Sequence, residues 1–147
     1  MSEADNLYAE AVRYGLEIPD DLHRASPAER AAAWNGVGPE RMELVRVALS
    51  FFLGFLKPAF LVHDWRYCKA LGTNSDWRDA NAQQERNCYA LIRRKLRWWQ
   101  FWRRPGLTAA TEGARIAVDS SEGRNAYEDA YKARIKREFT PGPEVMG

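Results

Sequence analysis

The segment ALSFFLGFLKPAFLV, residues 48–62, is the longest apolar run in the chain, and it narrows the possible folds more than any other feature. Fifteen residues interrupted by Lys57 and Pro58 fall short of the roughly 20 that cross a bilayer, so the run belongs to a buried core or lies at an interface. No stretch of alternating β-branched residues is long enough to suggest a sheet, and helical spacing recurs throughout. The fold class predicted is therefore mainly α. MELVRVALSFFLGFL reads as an apolar helix broken at Lys57–Pro58, with Pro58 opening a second helix, PAFLVHDWRYCKAL, that stops at Gly72.

Other helical segments precede and follow this run. An amphipathic segment carries Leu7, Ala11, Tyr14 and Leu16 before Pro19, and a shorter one follows Ser26–Pro27, with NGVGPE (Asn35 to Glu40) as the loop after it. Asn74 or Ser75 is expected to cap a helix running to Trp99. Its inward stripe falls at Asn81, Gln84, Cys88, Leu91 or Ile92, and Leu96. Pro105–Gly106 closes the aromatic, basic stretch that follows. A helical region rich in Ala and Gly starts at Thr108, and a last segment spans Asn125 to Phe139. Residues 1–140 are expected to form one domain, and residues 141–147, PGPEVMG, a disordered tail.

With 22 Lys and Arg against 20 Asp and Glu, the net charge of +2 is too small to argue for a nucleic-acid partner. Its distribution is uneven. Six basic and no acidic residues lie between Arg93 and Arg104, whereas Glu3, Asp5, Glu10, Glu17, Asp20 and Asp21 face only Arg13 near the start. Two cysteines, Cys68 and Cys88, exclude a small disulfide-held scaffold and fit a reducing compartment. The first residues lack both the basic and the apolar parts of a signal peptide, so a cytoplasmic location is expected.

HDWRY carries the candidate chemistry. His63 and Tyr67 stand at i, i+4 on one helix face, with Asp64 about 100° round from them. A neutral imidazole can take a proton from water, and a neighbouring carboxylate aimed elsewhere can help hold a hard cation such as calcium. One carboxylate is too few for calcium. Backbone carbonyls must supply the rest, and the glycine-rich WNGVG, Trp34 to Gly38, can turn several toward one point.

WNGVG followed by HDWRY resembles the calcium loop and active-site helix of the phospholipase A2 superfamily, and is most similar to its small disulfide-free bacterial and phage-associated members. The resemblance runs from about Trp34 to Tyr89. It implies a core of two antiparallel helices with additional helices packed on it. It also implies calcium held by the carbonyls of Trp34, Gly36 and Gly38 and the carboxylate of Asp64. The Gly36 amide would help hold the oxyanion, His63 would activate the attacking water, and Tyr67 would orient the acid behind the histidine. At that acid the chain departs from the family pattern: the inward position is Asn81, with Asp79 about 200° away on the same helix and facing solvent. The resemblance thus implies a calcium-dependent hydrolase of glycerophospholipid esters. The alternative is a catalytically inactive relative of phage or prophage origin that binds lipid or a protein partner.

Pairing Tyr67 with Asn81 sets Cys88 about 10 Å along the helix from that level, too far for a bond to Cys68. His23 reads as a surface residue beside Asp20 and Asp21. RRKLRWWQFWRR leaves two readings open. Trp98, Trp99, Phe101 and Trp102 with Arg103 and Arg104 can form a surface for anionic headgroups or a partner, or the aromatics can close the bottom of the core under solvated arginines.

Overall fold

A computed structural model describes residues 1–34 and 43–140, with backbone alone over 43–51. Among the described residues there are α-helices and a 3-10 segment and no strand. Helix α1 (Glu3–Arg13) is started by a capping box in which the Ser2 hydroxyl accepts from the Asp5 amide at 3.2 Å. It buries Ala4, Leu7 and Ala11, the i, i+3, i+7 spacing of one face. The short α2 (Asp20–Arg24) drops Leu22 into the core. Helix α3 (Pro27–Ala33) repeats the capping box with Ser26 and Glu29, its proline in the first turn.

Helix α4 (Glu43–Cys68) is continuous through Pro58, which corrects the predicted break at Lys57–Pro58. Proline costs a helix interior about 3 kcal/mol through a lost hydrogen bond and a clash with the carbonyl four residues earlier. Here that residue is Gly54, which is exposed with nothing within 4 Å of a Cβ position. Pro58 itself is fully buried, as are Leu56, Ala59, Leu61 and Val62 of the same stretch, so apolar burial of this part of α4 outweighs the local penalty.

Helix α5 (Asn74–Lys95) is capped by Thr73, whose hydroxyl accepts from the Asp76 amide at 3.1 Å, one residue earlier than the predicted cap. It ends at Lys95 because Leu96 turns extended, so Trp98 and Trp99 fall instead in a 3-10 helix (Trp98–Arg103). Arg66 meets Asp76, His63 meets Asn81, and Lys95 reaches the Phe55 carbonyl, so α4 and α5 run antiparallel. Of the predicted inward stripe, Asn81, Gln84, Cys88, Leu91 and Ile92 are buried, joined by Gln83 and Asn87, whereas Leu96 falls just past the helix and is half-buried. These polar additions have partners. Asn87 accepts from the Glu17 amide at 2.8 Å and donates to the Glu17 carbonyl at 3.0 Å, where Gln83 donates as well.

Helix α6 (Arg104–Asp119) starts four residues before Thr108, because Pro105 is tolerated in a first turn. It buries Leu107, Ala110 and Thr111, and a Cβ on Gly106 would overlap the Phe52 ring of α4. Ser120 ends α6 and caps α7 (Ser121–Phe139), accepting from the Gly123 amide at 3.2 Å, so α7 begins before Asn125. Tyr127 anchors α7 with 0% exposure, and Arg134 donates to the carbonyls of Lys69 and Ala70 just beyond α4. Cys68 and Cys88 are both free thiols. The expected disordered tail, 141–147, and the loop Asn35 to Glu40 lie outside the described residues.

Candidate functional site

His63 is placed by the apolar register of α4 and Asn81 by that of α5, which brings two polar side chains together in an otherwise apolar layer. His63 is 6% exposed and Asn81 3%. The His63 Nε2–H donates to Asn81 Oδ1 at 3.1 Å, and the Tyr67 hydroxyl donates to the same oxygen at 3.0 Å. The imidazole and the Tyr67 ring lie 4.2 Å apart between centroids, as i, i+4 spacing on one helix requires.

On its other side the Asn81 amide donates through Nδ2 to the Val118 carbonyl at 3.1 Å and to Asp119 Oδ1 at 3.0 Å. All four hydrogen-bonding positions of the amide are used, and both outer partners are acceptors only. The oxygen therefore faces the imidazole. His63 then carries its proton on Nε2, leaving Nδ1 as the basic nitrogen. Burial pushes the His63 pKa down from 6.5 to about 4, the bond to Asn81 pulls the other way, and the Arg66 charge lowers it further, so the ring is neutral at pH 7. Burial also raises the Tyr67 hydroxyl well above its ordinary value, keeping it protonated as a donor.

The local electrostatics explain why an amide stands at 81. Val118 is in the last turn of α6, where carbonyls point outward with the negative end of the helix dipole, and Asp119 adds a carboxylate there. A carboxylate at 81 would face both. Asp79, the nearer acid in sequence, is exposed, as its angle on α5 predicts.

A second polar layer supports the first. The Tyr127 hydroxyl donates to Asp76 and accepts from the Gly72 amide, while Arg66 bridges Asp76 at 3.1 Å and Gln83 at 3.0 Å. The Tyr127 ring packs edge-on against Tyr67 at 5.3 Å, so the hydroxyl that serves Asn81 is held laterally by α7.

Among the calcium donors implied by the resemblance, Trp34 and Asp64 are described, whereas Gly36 and Gly38 lie outside the described residues. Trp34 ends α3 with an extended ψ of 106°, its indole N–H donating to Glu3 at 3.0 Å, and it packs against the cluster formed by Ala4, Leu7 and Leu61. Asp64 is half-buried, and on α4 it stands about 100° from His63 and about 60° from Leu61, on the arc between them. Among the described residues no three His, Cys, Asp or Glu side chains gather to hold a metal ion. The resemblance implies a site of another kind, one carboxylate with backbone carbonyls.

The aromatic stretch does not close the core. Trp98 is 83% exposed, Phe101 72%, Trp102 62% and Trp99 49%. Arg97 stacks over the Trp99 ring at 4.8 Å, Arg104 is exposed, and half-buried Arg103 folds over Phe55 at 5.4 Å. His23 is at the surface, with Nδ1 2.9 Å from the Tyr8 hydroxyl.

Sequence reasoning brought out His63, Tyr67 and Asn81, which the structure assembles. It missed Val118 and Asp119, which lie 37 and 38 residues beyond Asn81 on another helix and belong to no local motif. No known protein-family model matches this chain, and neither any curated protein nor any solved structure shows significant similarity to it.

Proposed function

We propose that the protein is a calcium-dependent, phospholipase A2-like hydrolase of glycerophospholipid esters, in which His63 Nδ1 takes the proton of an attacking water. The observation that carries this reading is the Asn81 amide, oriented by four hydrogen bonds so that the imidazole keeps its proton on Nε2 and its basic nitrogen on the other side. An asparagine in place of the family's acid is consistent with activity here, because its oxygen does what tautomer selection needs. Asp64 with the carbonyls of Trp34, Gly36 and Gly38 would hold calcium, which supplies positive charge beside the ester carbonyl. The Gly36 amide would add an oxyanion donor. The exposed Trp98, Trp99 and Trp102, flanked by Arg97 and Arg104, suit a phospholipid surface with anionic headgroups. Among the described residues no helix is long and apolar enough to cross a membrane.

One observation favours a second reading, a non-catalytic binding or structural protein of phage or prophage origin. A histidine 6% exposed with a pKa near 4 is a weaker base than a water-activating group poised near neutrality. Calorimetry of calcium binding, paired with fatty-acid release from mixed anionic vesicles, separates the two. The hydrolase predicts calcium binding lost in Asp64→Asn and release reduced about 100-fold or more in His63→Ala. Absence of both, with vesicle binding retained, would leave the binding module.

A further inference from the structure

The two ends of an asparagine amide are nearly the same size, so packing alone does not choose which one faces a histidine; its outer hydrogen-bond partners do. At Asn81 those partners are the Val118 carbonyl and the Asp119 carboxylate, at 3.1 and 3.0 Å from Nδ2. Turning the amide over would set its oxygen against both acceptors. It would also aim N–H groups at His63 and at the Tyr67 hydroxyl, and the imidazole would then have to move its proton to Nδ1. We propose that Asp119 is a positioning residue for His63, acting through Asn81 to hold the imidazole in the Nε2–H tautomer.

Three features support the assignment. Asp119 is the last residue of α6, directly before the Ser120 cap that starts α7, so its backbone is fixed by both helices. Its second oxygen lies 3.7 Å from Arg115 one turn earlier, which leaves Oδ1 directed at Asn81. Its charge also draws the amide hydrogens outward and concentrates negative charge on Asn81 Oδ1, strengthening the acceptor that receives both His63 and Tyr67. The chain thus carries an acid behind its histidine after all, displaced outward by one amide. This inference deepens the hydrolase reading, since an Nε2–H tautomer is what leaves Nδ1 free to act.

The test is long-range proton–nitrogen NMR of the folded full chain labelled with 15N-histidine, above pH 7, without calcium or lipid. With only two histidines, His23→Gln assigns the spectrum. The native protein is expected to show a pyrrole-type Nε2 and a pyridine-type Nδ1 at His63. Asp119→Asn, which still offers an acceptor oxygen, should keep that pattern. Asp119→Lys presents donors to Nδ2 and should make the Nδ1–H form the major one, lowering kcat with KM little changed if the hydrolase reading holds. A folded Asp119→Lys protein with the native tautomer pattern would overturn the proposal. If that variant does not fold, Asp119→Ala decides: the ratio of Nε2–H to Nδ1–H should fall about tenfold, and an unchanged ratio overturns the proposal. Because the tautomer is read in resting protein, it stands or falls separately from whether any ester is cleaved.

Discussion

Asn81 shows how one buried amide can settle the chemistry of its neighbours. Replacing it by aspartate, the residue the phospholipase A2 resemblance would ask for, sets a charge against the Val118 carbonyl and the Asp119 carboxylate in a site 3% exposed. Asn81→Asp is expected to destabilise the fold by about 2–4 kcal/mol. Adding Asp119→Asn should restore part of the loss, a positive coupling that urea unfolding of the four proteins of a double-mutant cycle would measure. His63 gives a pH prediction. Its pKa is 6.5 when free and about 4 when folded, so between these values the unfolded chain binds a proton that the folded one does not. Stability from this group is therefore complete above pH 6.5 and is lost as pH falls to about 4, by about 3 kcal/mol. Glu17, held below its ordinary value by hydrogen bonds from Arg86, loses its share at lower pH, so the decline between pH 6.5 and 4.5 should be flattened in His63→Gln. Both buried residues were legible in the sequence, because i, i+4 and i, i+7 spacing is local. Asp119 was not, because its role depends on where α6 ends in space.

Among the elements, the helices were readable wherever a capping residue or an apolar stripe marked them, as Ser26, the apolar positions of α1 and the inward face of α5 do. Beyond boundaries displaced by four residues at the end of α5 and at the starts of α6 and α7, the misreading came at Pro58, where the local rule predicts a break and tertiary burial overrides it. Gly54, exposed four residues earlier, offers a test. Gly54→Ala adds a better helix former where nothing lies within 4 Å, and should raise stability by about 0.5–1 kcal/mol and Tm by a few degrees. A fall instead would show that α4 needs the backbone freedom of that glycine to admit the proline. Gly106 should behave oppositely. A methyl group there meets the Phe52 ring, so Gly106→Ala is expected to cost about 1–3 kcal/mol by forcing α4 and α6 apart, measured in the same unfolding experiment.

For the molecule as a whole, the mainly α fold class follows from periodicity, and the unpaired state of Cys68 and Cys88 follows from setting Tyr67 level with Asn81, whereas the outward display of four aromatics follows from neither. A Trp-rich, Arg-rich run satisfies the sequence statistics of a core edge and of a surface equally well. Only the turn out of helix at Leu96 decides between them. Trp98→Ala with Trp102→Ala should weaken binding to anionic vesicles about tenfold or more while leaving the unfolding midpoint in place, as flotation and thermal melts would show. The same surface makes the protein its own optical probe. Three of its six tryptophans, Trp98, Trp99 and Trp102, face water, while Trp65 is 3% exposed in the core. Emission from the resting protein should be weighted toward the red, and occupancy of that face should shift it to the blue and shield it from iodide. Any occupant of the surface can thus be followed by light, without a label and before its chemistry is known.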